Sequence, residues 1–265
     1  MPAAGPSARA TSLGAWYRAH GRHDLPWRHT RDRWAVLVSE VMLHQTQVPR
    51  VAAVFDDFLA QFPTPAAMAA AGPAAVITAW GRLGYPRRAR RLWEASCVIA
   101  DHGWPDDLEA LPGVGRYTAR AIDAQVDDVD VVAIEVNVRR VAQRVAGAVL
   151  TDRAAEEEAR RVGGRLRGRD RLLALMDLGA TVCRARDPQC SSCPLRARCA
   201  TRGSLPGEAR ARQAPFEGSF RQRRGVVLAA LRRGPSAVAD LDADALTSLV
   251  TDGLAATDGP IARLP

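Results

Sequence analysis

Apolar residues recur at helical spacing through Trp34–Leu43, Val51–Phe62, Ala74–Leu83, Arg88–Ala100 and Leu172–Val182, with proline and glycine standing between the segments. The pattern predicts a mostly helical, all-α chain. Valine-rich Val126–Ile134 has the composition of a strand, but a lone strand would have no partner, so an extended connector is expected there. Asp152–Arg171 interleaves Glu156, Glu157 and Glu158 with arginines and reads as a solvated helix face. Thr201–Gln213 turns polar and rich in Gly, Pro and Arg, as a linker does. Periodicity resumes at Val226, continues through Ala243–Leu254 and meets a turn at Asp258 and Gly259. Helices and a short hairpin, a small winged-helix-like tail, are expected after the linker.

Composition adds a core and a partner. Of the 265 residues 47% are hydrophobic, enough for one large or two modest domains. A net charge of +8 and a pI near 10.2 favour a polyanion, with nucleic acid the leading candidate. All 37 basic side chains are arginine; the chain has no lysine. Met1–Thr11 lacks the apolar stretch of a signal peptide, and no segment reaches the roughly 20 apolar residues of a membrane span, so a cytoplasmic protein away from membranes is expected.

Four of the five cysteines, Cys183, Cys190, Cys193 and Cys199, follow the spacing C-x6-C-x2-C-x5-C among Arg184, Arg186, Arg196 and Arg198. A short knot of chain at this spacing brings four thiolates onto one metal centre, either zinc or an iron-sulfur cluster. Cys97 stands apart and reads as a core residue. In Leu111-Pro-Gly-Val-Gly-Arg-Tyr-Thr-Ala-Arg-Ala-Ile122, Gly113 and Gly115 form a tight turn just ahead of a helix-forming run. The exposed amides and the positive end of that helix make a seat for a phosphate, reinforced by Arg116.

Hairpin and cysteine loop together resemble the helix-hairpin-helix DNA glycosylases of the endonuclease III superfamily. Leu25-Pro-Trp27, Ser39-Glu-Val-Met-Leu-His-Gln-Thr-Gln47, Gly81-Arg-Leu-Gly-Tyr85, Asn137-Val-Arg-Arg-Val141 and Met176-Asp-Leu-Gly-Ala180 narrow the resemblance, over residues 12–200, to adenine DNA glycosylases of the MutY type. It implies a two-lobed, all-helical fold that holds DNA and a flipped base between the lobes, with a [4Fe-4S] cluster on the four cysteines. Residues 1–30 with 135–200 would form the cluster lobe and 31–134 the lobe with the hairpin, followed by a linker over 201–220 and a small unit over 221–265.

Cutting a purine N-glycosidic bond takes an acid that protonates the leaving base and an anion that steadies the oxocarbenium ion. The resemblance assigns the acid/base to Glu40 and a site-orienting role to Asn137, which also reads as a helix cap. The family's second carboxylate is an aspartate; here it is Glu135, one methylene longer. His44 with Gln45 stands where the family probes the DNA stack with two glutamines, and Tyr85 matches the tyrosine beside the lesion. Tyr117 replaces the Schiff-base lysine of bifunctional relatives. Without lysine the chain has only its N-terminal amine for a lyase step, and monofunctional hydrolysis is expected. Arg87, Arg88, Arg90 and Arg91 crowd one stretch, where Arg88 is a candidate phosphate contact.

Family members usually carry a C-terminal domain, related to nucleotide-pyrophosphate hydrolases, that recognises 8-oxoguanine. The roughly 65 residues after Cys199 lack that pattern, and selectivity for that pair is not expected. The reading is a monomeric base-excision-repair glycosylase acting on double-stranded DNA that contains a mismatch or lesion, most plausibly at adenine. Two others stand beside it: a glycosylase for a modified purine adduct, and a catalytically silent lesion-binding protein.

Overall fold

The computed structural model describes residues 12–208 and 214–265. In chain order its helices are α1 (Leu13–His20), α2 (Arg33–Leu43), α3 (Val48–Ala52), α4 (Phe55–Gln61), α5 (Pro65–Trp80), α6 (Arg87–His102), α7 (Arg116–Val126), α8 (Val136–Ala146), α9 (Asp152–Gly163), α10 (Gly168–Thr181), α11 (Phe220–Arg233) and α12 (Ala243–Thr251). Three short strands follow α11: β1 (Ser236–Ala237), β2 (Ala256–Asp258) and β3 (Ile261–Arg263). Side-chain oxygens accept from backbone N–H groups at the starts of α1, α5, α9, α11 and α12, through Ser12, Thr64, Thr151, Ser219 and Asp242. Each satisfies a donor that the first helical turn leaves open. The N-terminal segment read for a signal peptide and residues 209–213 of the expected linker lie outside the described residues.

Two expected helices differ in detail. Val51–Phe62 is two helices, because Val54 leaves helical geometry (φ −133°, ψ −7°) and Asp56 and Asp57 start α4 with carboxylates in its first turn. α5 is broken at Gly72 (φ 79°, ψ 164°), and Pro73 begins its second segment. The valine-rich connector forms no strand.

Backbone contacts divide the chain into two compact units, Met1–Val36 with Arg116–Ala211 and Leu37–Gly115 with Arg212–Pro265. The boundaries therefore stand at 36/37 and 115/116, where the sequence expectation has 30/31 and 134/135, because α7 packs on α10 of the first unit. The first unit is built on the apolar faces of α1, α7, α8, α9 and α10, with Trp16, Val138, Val141, Ala159, Leu175 and Leu178 buried in one core. A close approach joins α10 to the first turn of α8. A Cβ on Gly179 would lie 2.6 Å from Asn137 Cβ and 2.8 Å from Asn137 O. Described residues of the expected linker also belong here. Leu205 and the Glu208 side chain are buried, and Glu208 is ion-paired to Arg144 of α8 at 2.9 Å.

The second unit buries Leu37, Val38, Val41 and Met42 of α2 with Phe55, Phe58, Phe62 and Trp80. Phe58 meets Phe62 edge-on at 5.0 Å and Trp80 at 5.9 Å, the offset geometry that aromatic quadrupoles favour. Its C-terminal portion has the expected helices and hairpin, with a short strand, β1, between the helices. The strands pair antiparallel in the order β1-β3-β2, with Thr257 opposite Ala262. Arg232 of α11 donates to Ile77 O of α5 at 3.0 Å, and Arg90 of α6 donates to Gly253 O at 2.5 Å. These bonds hold the tail on α5 and α6.

Gly179→Ala should lower stability by roughly 1–3 kcal/mol through overpacking against Asn137, read as an earlier urea midpoint. An unchanged midpoint would show that the helices do not need this glycine.

Candidate active site and nucleic-acid interface

Glu40 lies on α2 in the second unit and is 3% exposed. Glu135 belongs to the first unit, where it is the N-cap of α8. Its Oε1 accepts from Val138 N at 2.9 Å and its Oε2 from Asn137 Nδ2 at 3.0 Å. The cap is thus Glu135 rather than Asn137. Glutamate is an unusual N-cap, and here its extra methylene is absorbed by folding the carboxylate back over the first turn, where the helix dipole favours an anion. Asn137 is held in turn, since its Oδ1 accepts from Arg140 Nη2 at 2.5 Å.

Arg140 and Arg144, both on α8, extend this chain of bonds to the cysteine loop. Arg140 donates to Gly179 O and, through Nε, to Cys183 O at 2.7 Å. Arg144 reaches Cys183 Sγ at 3.5 Å, Arg184 O at 2.7 Å and the Glu208 carboxylate. Against burial, which lowers it, the Glu208 and Cys183 partners raise the Arg144 pKa and keep the guanidinium charged. Cys183, Cys190, Cys193 and Cys199 line one cavity with Arg144, Arg196 and Arg202. Burial pushes the Cys193 thiol up to about 11 and raises Cys183 as well. Among the described residues no three ligating side chains converge on a single ion.

The motif around Met176-Asp177 has a second buried anchor. Asp177 is fully buried, accepting from Arg22 N at 2.9 Å, Arg22 Nε at 2.7 Å and Arg28 Nη2 at 3.1 Å. Arg28 keeps Nε and Nη1 buried without a partner among the described residues, so two donors beside this carboxylate are open to an acceptor. Neither Arg28 nor Asp177 was singled out as chemistry by the sequence, nor were Arg140, Arg144 and Glu208. Only the motif residues among them left a signal.

Gln45 and Tyr85 are exposed and hold positive φ, 56° and 47°. For residues with a Cβ this conformation costs roughly 1–2 kcal/mol, and such strain gathers at functional loops. Arg88 holds both loops. It donates to Val41 O, Met42 O and His44 O at the end of α2, to Thr46 Oγ1, and to Gly84 O beside Tyr85. Its guanidinium also lies 5.2 Å over Trp80 and 5.3 Å over Tyr85. Burial lowers its pKa to about 10. Arg88, the expected phosphate contact, is therefore bonded within the protein at both loops. His44 is half-buried, and burial followed by the Arg88 charge lowers its pKa, favouring neutral imidazole.

In the hairpin, Val114 N donates to Leu111 O at 3.1 Å and Gly113 sits at φ 79°. Gly115 has nothing within 4 Å of where a Cβ would stand, so no packing in the protein demands glycine there; a close outside partner would. Arg116 is more than half exposed and is steadied by Glu156 at 3.0 Å, with Arg120 on the same carboxylate at 2.5 Å. The glutamate run read as a solvated face thus supplies the hairpin's counter-charge. Tyr117 packs on the core of the first unit.

Residues 38–164 match the HhH-GPD superfamily base excision DNA repair protein family. The chain is 40% identical over 272 residues to the adenine DNA glycosylase of Mycolicibacterium smegmatis, covering 94% of this chain and 92% of that protein. It is 44% identical over 255 residues to the adenine DNA glycosylase of Mycobacterium tuberculosis, covering 89% and 83%. This chain belongs to the adenine DNA glycosylase family. A solved thermostable thymine-DNA glycosylase shares the fold of this family member with a TM-score of 0.66 at 26% identity, over 73% of this chain and 94% of that one. The glycosylase fold, the hairpin and the repair-family match make DNA the partner. Among the described residues of this adenine DNA glycosylase relative, no helix is long and apolar enough to cross a membrane.

Arg88→Lys keeps the charge but loses the planar fork, so it should cost roughly 2 kcal/mol in thermal unfolding and weaken duplex binding. Retained stability and binding would show that a point charge suffices at the loop junction.

Proposed function

We propose that this chain is a monofunctional glycosylase that flips adenine out of a mismatched duplex and hydrolyses its N-glycosidic bond, acting as a cytoplasmic monomer. The observation that carries the reading is the survival of both carboxylates, Glu40 buried on α2 and Glu135 fixed at the start of α8 by Val138 N–H and Asn137. Flipping is required because the reacting carbon and the base are inaccessible inside the stack. Glu40 gives its proton to the base as the C1′–N9 electron pair leaves with it. The anionic Glu135 steadies the positive sugar, and water adds its hydroxyl to C1′ while Glu40 takes back a proton. A lysine Schiff base is unavailable because the chain has no lysine, so strand cleavage is not part of the reaction.

The four cysteines fit a [4Fe-4S] cluster better than one zinc. All four thiols line one cavity, and the family resemblance favours a cluster there over zinc. Such a cluster supplies a rigid cross-link for the loop. Arg140 and Arg144 tie that loop to the helix that carries Glu135 and Asn137. Purified protein should contain iron and acid-labile sulfide in equal amounts, about four of each per chain; stoichiometric zinc would overturn the assignment.

Single-turnover base release tests the activity on adenine opposite 8-oxoguanine, guanine and cytosine, with thymine opposite guanine as the comparison. Adenine should be released and the strand should stay intact until alkali is added. Glu135→Gln, which keeps an oxygen for Val138 N–H but loses the acceptor for Asn137 Nδ2, should slow release by about 10²–10⁴ with the fold retained, while Glu135→Asp retains activity. Thymine release alone, or an unaffected Glu135→Gln variant, would overturn the reading.

A further inference from the structure

The second unit contains a cavity of about 240 Å³ between α2, α6 and the hairpin turn. Leu37 and Val41 of α2 and Leu92 and Ala95 of α6 form its apolar floor, and His44, Arg87 and Arg91 stand around it with Pro112 and Gly113. α6 and the hairpin are in close contact here, since a Cβ on Gly113 would lie 2.7 Å from Arg91 Cβ. Arg87 and Arg91 are one helical turn apart, and their side chains are 70% and 59% exposed.

Like charges at this spacing repel, and the local carboxylates do not offset them. Asp252 meets Arg87 Nε at 3.4 Å but is closer to Arg224, at 2.6 Å. Glu94 serves Arg91 at 3.0 Å and Arg90 at 2.9 Å. Arg87, Arg90 and Arg91 thus have two shared carboxylates between them, while the Arg87 and Arg91 side chains stay largely exposed beside the hairpin. Arg88 is committed to the loops.

We propose that this cavity is a phosphodiester subsite, distinct from the amides of the hairpin, in which Arg87 and Arg91 hold the backbone of the bound DNA. It rests on the DNA-glycosylase reading above. The occupant is a DNA backbone phosphate because the site adjoins the hairpin and its mouth is cationic, while the apolar floor accommodates the deoxyribose edge. The two arginines position the strand and take no part in the chemistry.

Fluorescence anisotropy of the holoenzyme with a labelled duplex, over a series of salt concentrations, tests this. Arg87→Gln and Arg91→Gln should each reduce the slope of log K against log salt by about 0.9, and the double variant by about 1.8. Melting temperature, read alongside, keeps a folding defect from passing as lost contact. Unchanged slopes in folded variants would overturn the proposal. If the substrate reading fails instead, no adenine is released by any variant, yet the slope differences persist. A second arm uses inorganic phosphate at matched ionic strength. Chloride and phosphate should give the same melting temperature; a rise with phosphate that Arg91→Gln abolishes would assign the cavity to a free anion and overturn the DNA assignment.

Discussion

Buried arginine forks are the interaction on which the rest of this structure depends. Arg88 gathers carbonyls from the end of α2 and from the Tyr85 loop. Arg169 gathers Arg28 O, Thr30 O and Gln125 O, and Arg140 and Arg144 gather the start of the cysteine loop. Desolvating a guanidinium is costly, but its planar fork reaches several separated acceptors at once, most of them backbone carbonyls, so the cost is offset by charge-assisted bonds that also tie several loop segments together. An ammonium has three donors and a compact, strongly hydrated charge, and cannot span such separated acceptors. A chain with no lysine has thereby committed its cations to two tasks, internal cross-linking and outward attraction, and burial decides which arginine does which.

That division changes how Glu135 is understood. By sequence it is a displaced catalytic anion, since a carboxylate moved by a methylene loses its alignment. In the structure both its oxygens are bonded within one helical turn, and the asparagine that restrains one of them is itself restrained by Arg140. The longer side chain folds back over its own helix, and its position is set by the cap instead of by side-chain length. The same α8 arginines reach Cys183, so the anion and the cysteine loop share one helix as scaffold.

Periodicity made the helices legible, and short motifs made the chemistry legible, because both are local: Glu40, the hairpin glycines and the four cysteines are neighbours of their own signals. What was illegible depends on partners far along the chain. Nothing near Glu208 marks it as the counter-ion of Arg144, 64 residues earlier. Arg88 sits among exposed cations and differs from them only because Trp80, Gly84 and the end of α2 enclose it. Glu156 looked like solvated surface until the fold brought Arg116 and Arg120 to it. The unit boundaries were missed for the same reason, since whether α7 belongs with α10 is a packing outcome with no local mark.

The charge distribution separates the two parts of the second unit. Residues 214–265 hold six arginines and six carboxylates, so the whole excess of +8 lies in residues 1–213. Within the tail three of the cations have partners in the protein: Arg223 meets Asp242, Arg224 meets Asp252 and Ser248, and Arg232 meets Ile77 O. In a winged-helix arrangement the helix ahead of the hairpin is the one that usually enters a groove. Here that helix, α12, carries Asp244 and no cation, and is flanked by Asp242 and Asp252. Phosphates would be repelled from it. Topology alone would suggest a second DNA reader; the electrostatics instead make the tail a buttress for α5 and α6, with Asp252 beside Arg87 and Gly253 O bonded to Arg90.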